Sequence, residues 1–194
     1  KATLAQIQSQ FGKPVADLID GVLRMLAISE IMNPKNERVL GQAEGQLGNL
    51  RRMLVAMVDD VRVALIKLAE RTSAIRAVSS ASEEKQQKVA REIFDIYAPL
   101  AHRLGIGHIK WELEDLSFRY LQPEEYKKIA KLLDEKRIER DQYIARVKQT
   151  LMNATEKMGI KADISGRAKH IYSIWRKMQR KNISFFQVYD IRAV

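Results

Sequence analysis

GRAKHIYSIWRKMQRKN, Gly166 to Asn182, is the stretch on which the reading of this chain turns. Ile171, Ile174, Trp175 and Met178 recur at i, i+3, i+4 and i+7, which gathers them on one apolar face of a helix. At about 100° per residue, Lys169, Ser173, Arg176, Lys177 and Arg180 fall on the other side. Lys169, Ser173 and Lys177 form an i, i+4, i+8 row of about 12 Å, comparable to an extended triphosphate. The stretch carries six basic side chains, Arg167, Lys169, Arg176, Lys177, Arg180 and Lys181, and no acidic one, in a chain of net charge +10. The excess is therefore partly local, which suits a binding site better than general solubility. A solvated helix face is the plainer alternative. The strand–Gly–Arg–helix setting argues against it, because amide groups and the positive end of a helix dipole at such junctions attract phosphates.

Upstream of this stretch the chain reads as helix after helix. TLAQIQSQF stops at Gly12, and Pro14 suits the first turn of a helix carrying Val15, Leu18, Ile19, Val22, Leu23 and Leu26 on one side. Residues 33–49, with amides and glycines, read as a loop or frayed start. Met53, Leu54, Met57 and Val58 resume the stripe, and Asp59 is placed to cap the helix VRVALIKLAERTSAIRAV. That helix is apolar around much of its girth, as a bundle's central helix is. Ser82 opens a long helix that runs to about Leu104; Gly105 and Gly107 turn the chain, and Pro123 starts another helix that bends and ends at Gly159. Glu112, Glu114 and Asp115 read as a solvated face. Only then does the character change: KADISG reads as a strand, a helix follows from about Ala168, and FFQVYDIRAV reads as a second strand. The expected fold is mainly α, closing with one strand–helix–strand unit of an α/β domain. Such a unit cannot cover both faces of its sheet, so further strands are expected beyond Val194.

Composition narrows the function. The chain is 46% hydrophobic and 30% charged, an ordinary soluble globular balance. Cysteine is absent, which excludes disulfides and thiolate metal ligation and fits a reducing cytoplasm. No apolar run approaches the roughly 20 residues of a membrane span, and the first residues lack the apolar stretch of a secretory signal. His102 and His108 flank a glycine turn without a carboxylate pair in register, so packing or surface roles suit them better than metal ligation. Tyr172 and Trp175 read as core, and His170 as a structural hydrogen-bonding group.

Several blocks together resemble the RelA/SpoT family: Gly166-Arg167-x-Lys169-His170-x-Tyr172-Ser173-Ile174-x-x-Lys177-Met178; Tyr189-Asp190-Ile191-Arg192-Ala193-Val194; Arg52-Met53-Leu54-x-Ala56-Met57-Val58-x-Asp60-x-Arg62; Ile66-Lys67-Leu68-Ala69; and Ile96-Tyr97-Ala98-Pro99-Leu100-Ala101-His102-Arg103-Leu104-Gly105-Ile106. The resemblance covers essentially the whole chain. It implies the end of a helical HD-type hydrolase-like domain over residues 1–60, central linking helices over 61–121, and the start of a nucleotidyltransferase-like synthetase domain over 122–194. It implies a fragment of a bacterial GTP pyrophosphokinase, which moves pyrophosphate from ATP to the 3′-hydroxyl of GDP or GTP and makes guanosine tetraphosphate and pentaphosphate in the stringent response. Arg167, Lys169, Ser173 and Lys177 would hold the ATP phosphates, and Asp190 would be the Mg²⁺ carboxylate. No catalytic set is complete within these residues, so the fragment itself is expected not to turn over.

Active hydrolases of the family have Asp where Glu70 stands, His where Ser73 stands and Asn where Ala74 stands. The hydrolase is thus expected to be dead, to bind no Mn²⁺ and to survive as a regulatory element, on the monofunctional synthetase branch. Ribosome and uncharged tRNA would be partners through regions outside this stretch, with no membrane association. The alternative from another class is a basic helical RNA-binding module, favoured by the pI near 9.8 and disfavoured by the lack of an aromatic strand platform.

Overall fold

The computed structural model describes residues 2–31, 60–188 and 192–193. They divide into two compact units, residues 1–117 and 118–194. The stretch 33–58, read above as a loop followed by a helix, lies outside the described residues.

In the first unit Thr3 and Gln6 form a reciprocal capping box that opens α1 (Leu4–Phe11). Gly12, at φ +83°, ends it, and α2 (Lys13–Ile31) follows with Pro14 in its first turn. Gly21 lets α2 approach α3 (Val61–Ala77): a Cβ there would stand 2.7 Å from Cγ2 of buried Val63. The cap of α3 is Asp60 rather than Asp59, because it is the Asp60 carboxylate that accepts the Arg62 amide at 2.9 Å. The Arg62 guanidinium folds back onto the same carboxylate at 2.6 Å, and these bonds from Arg62 hold the Asp60 carboxyl below its ordinary range. Val63, Ala64, Lys67, Leu68, Thr72 and Ile75 form the buried side of α3, while Val61, Leu65 and Ile66 are exposed.

A short 3₁₀ turn, Val78–Ser80, leads to α4 (Glu83–Glu92). Ser82 caps it, accepting the Lys85 amide at 3.4 Å, with Glu83 and Glu84 at the positive end of the dipole. The chain then widens into a π turn, Ile93–Tyr97, before α5 (Ala98–Arg103). Pro99 accounts for that widening. A proline inside a helix has no N–H and collides with the carbonyl four residues back. The π turn, in which the Ala98 amide reaches the Ile93 carbonyl, makes room for it without breaking the rod. α3 packs against both α4 and the π turn. Ile75, Ala90, Ile93 and Ala101 are fully buried.

Gly105, at φ +73°, turns the chain into α6 (Gly107–Leu121), and the division between the units falls inside this helix. One of the three acids of α6, Glu114, departs from the solvated face expected of them. Glu114 is buried and pairs with Lys110 at 2.7 Å, and Glu112 pairs with Arg76 of α3. The Lys110 partner on the same helix accompanies the burial of Glu114, whereas the Arg76–Glu112 pair stays at the surface.

The second unit holds α7 (Pro123–Glu135), α8 (Arg137–Lys157), β1 (Arg167–Ala168), α9 (Ile171–Lys181), a 3₁₀ turn at Phe185–Gln187 and β2 (Arg192–Ala193). The expected bend falls at Lys136, where Arg140 reaches back from α8 to the Leu133 carbonyl at 3.1 Å. Its core is Ile129, Leu133, Ile174, Phe185 and Val188, flanked by Leu132, Ile171, Trp175, Met178 and Ile183. Phe118 adds ring contacts to Tyr126, Tyr172 and Trp175; the latter two are half-buried, and Trp175 packs against the core.

Three boundaries differ from expectation. KADISG carries no ladder, and the strand is the next pair of residues, Arg167–Ala168. It pairs antiparallel with β2, Arg167 opposite Ala193 and Ala168 opposite Arg192. α9 starts at Ile171, because His170 is still extended (φ −66°, ψ 147°). A 3₁₀ turn occupies the start of the second expected strand, because Ser184 and Gln187 close a capping box there. Among the described residues no helix is long and apolar enough to cross a membrane.

Two outcomes follow from the first unit. Gly21→Ala lowers stability by about 1–3 kcal/mol, because short, buried Val63 cannot yield. Much of that loss returns in the Gly21→Ala/Val63→Ala double variant, read by thermal melting. As to pH, a carboxyl whose folded pKa is depressed stabilises above its unfolded pKa and loses that contribution as pH falls through the folded value. The cap of α3 therefore weakens only at strongly acid pH, and Asp60→Asn removes that acid-side dependence in a far-UV pH titration.

Candidate phosphate-binding site and hydrolase-like region

α9 is oriented from its apolar side. Ile174, fully buried in the core of the second unit, fixes the rotation of the helix. Ser173 and Lys177, one turn apart, lie toward the other side, both half-buried, and Arg176 is exposed. Arg167 stands exposed on β1, its guanidinium donating to the Ala168 carbonyl at 3.3 Å. Lys169 does not belong to a helical row with Ser173 and Lys177, because it precedes the first turn of α9. The cations instead come from three successive parts of one strand–turn–helix: Arg167 from the strand, Lys169 from the turn, Lys177 from the helix. His170, the residue at the cap, makes no side-chain cap to α9, and no acid lies in the first turn. The positive end of the helix therefore adds to the charge of Arg167 and Lys169.

The cations at the other end have a simpler explanation. Arg180 and Lys181 occupy the last turn, where the helix dipole favours positive charge, just before Asn182 at φ +48°. Among the described residues Arg176, Arg180 and Lys181 form no ion pair. Asp190, the expected Mg²⁺ carboxylate, lies outside the described residues.

The hydrolase-like positions sit on α3. Glu70 and Ser73 are exposed, and Ala74 is half-buried. Glu70 is already engaged: its Oε2 accepts from the Lys67 ammonium at 2.7 Å and its Oε1 meets Arg71 at 3.2 Å. Lys67 is wholly buried, which for an ammonium requires a carboxylate close by. Arg71 also pairs with Glu92, the last residue of α4, at 3.5 Å, and its guanidinium lies over the Tyr97 ring at 5.5 Å. With both oxygens of Glu70 committed to cations and a methyl group at Ala74, these residues do not fit a divalent ion. Among the described residues no three histidines or acids converge as a metal site. His102 and His108 are both exposed.

Sequence reasoning missed this network. Its signal was present: Lys67 interrupts an apolar run on the face of Val63, Ala64 and Leu68, and Glu70 stands three residues on, within reach on a helix. A lysine on the buried side of a helix implies an acid nearby.

The roles within α9 separate experimentally. Ile174→Ala costs about 2–5 kcal/mol, because it opens a cavity in the core. Arg176→Ala, at an exposed position, changes stability by no more than about 0.5 kcal/mol, so chemical denaturation distinguishes the anchoring side from the charged one.

Comparison with known proteins agrees with this architecture. Residues 1–107 match the family model described as HD domain. A GTP pyrophosphokinase of Escherichia coli (strain K12) is 50% identical over 188 residues, covering 97% of this chain and 25% of that protein. One from Myxococcus xanthus is 43% identical over 192 residues, 99% of this chain and 25% of that protein. A probable guanosine-3′,5′-bis(diphosphate) 3′-pyrophosphohydrolase of Synechocystis is 41% identical over 193 residues, 99% of this chain and 24% of that protein. The chain thus spans about a quarter of the length of these curated relatives. With an HD-domain match over more than half its length and these relatives aligned along nearly all of it, the chain belongs to the HD-domain-containing RelA/SpoT family.

Proposed function

We propose that this chain is part of an ATP:GTP/GDP 3′-pyrophosphotransferase, in which the strand–turn–helix of Arg167 to Lys181 receives the phosphates of ATP. The observation that carries the reading is the anchoring of Ile174. With that side of α9 held in the core, Ser173, Arg176 and Lys177 lie on the helix's other side, and Arg167 and Lys169 immediately precede its first turn. Arg167 and Lys169 would grip the phosphates beside the helix start. Lys177 would reach them two turns further on, and Ser173 would donate its hydroxyl between. Cations fixed in this way stabilise the charge that develops as pyrophosphate leaves for an acceptor hydroxyl. Asp190 would hold Mg²⁺, which supplies charge compensation for the phosphates. The acceptor would be GDP or GTP; relatives named GTP pyrophosphokinase support GTP.

The hydrolase-like region would be inactive toward the product, because Glu70 is held by cations and Ser73 and Ala74 cannot supply imidazole or amide. Its remaining role would be conformational, biasing the transferase between states. The longer protein would act in the stringent response in the cytoplasm, with ribosome and uncharged tRNA as partners of other regions.

The test is ATP affinity with Mg²⁺ in the full-length protein. Lys169→Ala and Lys177→Ala each weaken binding by about 10-fold or more, the worth of one charge-assisted contact. Unchanged affinity in both removes the assigned role. Loss of RNA binding instead, with a steep salt dependence, would favour a nucleic-acid module.

A further inference from the structure

Of the six cations between Gly166 and Asn182, Arg167, Lys169 and Lys177 belong to the candidate phosphate site. Arg176, Arg180 and Lys181 remain toward the far end of α9. All three are exposed, and among the described residues none of them forms an ion pair. From Gly166 to Val188 the chain offers no acid of its own to neutralise them. The helix dipole accounts for Arg180 and Lys181, but Arg176 stands a turn earlier, and like charges one turn apart repel. Just past the helix, Phe186 is 69% exposed on the 3₁₀ turn, which packs back against α9. Its ring is held in place: buried Phe185 meets it edge-on at 5.7 Å, and the Lys136 ammonium lies over it, 5.3 Å from the centroid.

We infer that the far end of α9 and the 3₁₀ turn after it form a second binding surface, one that takes single-stranded RNA, with Arg176, Arg180 and Lys181 on its phosphates and the Phe186 ring against a base. This goes beyond the nucleotide reading and does not depend on it. The charge is complementary to a polyanion, and a guanidinium presents a planar fork that matches a phosphate. The ring decides which polyanion. A large apolar side chain kept in water beside cations suits a partner that alternates anionic groups with flat aromatic ones. Unpaired nucleotides do so, whereas an acidic protein segment or a phospholipid headgroup does not. A duplex buries its bases in stacked pairs, so the strand that meets Phe186 is single. Anchored by Phe185 and Lys136, the ring needs little ordering to receive a base.

The experiment follows the fluorescence anisotropy of a labelled oligouridine, about 12 nucleotides long, with the full-length protein across a salt series. The Arg176→Ala/Arg180→Ala/Lys181→Ala variant binds about 10-fold or more weakly, and its log–log salt slope falls by about 2, the share of three phosphate contacts on a single strand. Phe186→Ala weakens binding about 5-fold, the worth of one stacked base. Lys169→Ala leaves RNA affinity unchanged. These positions other than Lys169 are exposed, so the variants keep their fold. Crosslinking with 4-thiouridine RNA locates the contact in the wild-type protein, on the tryptic peptide that begins at Asn182 and contains Phe186. A triple variant that binds as wild type does, or no crosslink on that peptide, would overturn the inference. So would an unaffected Phe186→Ala, which leaves a merely charged surface, or a loss in Lys169→Ala equal to that of the triple variant, which merges this surface with the phosphate site.

Discussion

The second unit rests on the burial of Ile174. A helix with cations on one side and apolar residues on the other could rotate in solution. Packing Ile174 among Ile129, Leu133, Phe185 and Val188 removes that freedom. The antiparallel pairing of β1 with β2 then sets where Arg167 enters, and the extended His170 delays the helix until after Lys169. Ser173, Arg176 and Lys177 take one side of α9 because Ile174, on the other, is fully excluded from water. The burial is worth about 1.5–3 kcal/mol by area alone, and its larger consequence is orientation.

The first unit solves a different problem. Pro99 sits in what would otherwise be one rod from Ser82 to Arg103, and the π turn absorbs it. The cost is a stretch with poorer hydrogen bonding. Against it stand a close helix contact at Gly21 and Val63, and a chain of charges from Lys67 through Glu70 and Arg71 to Glu92. Buried charges of this kind rarely increase stability over a hydrophobic substitute, but they tolerate few alternative arrangements.

Much of the helical order was legible because it is local. Gly12, Pro14, Ser82, Gly105, Pro123 and Gly159 each mark a boundary through φ restrictions or a side-chain cap that needs no distant partner. The strands were legible only as a change of character. A two-residue ladder depends on which distant residue comes opposite, so KADISG and Arg167–Ala168 could not be told apart by alternation. The candidate site was legible as residue types, since charge clustering and helical spacing expose the cations of α9. Their row was drawn one turn too long, because the delay of the helix by extended His170 is not written in spacing.

Along the chain, then, composition and periodicity determined that this is a helical protein with a cationic amphipathic helix near its end, while the family resemblance is what set Glu70, Ser73 and Ala74 against the ligand positions of active hydrolases. Tertiary structure alone decided what those groups do instead. Glu114 is drawn into a buried pair with Lys110, and Glu70 is shared between Lys67 and Arg71. The reason is one of range. Capping, turning and helical faces are settled within a few residues, whereas a charge chooses between water and a partner only once another segment has displaced the water.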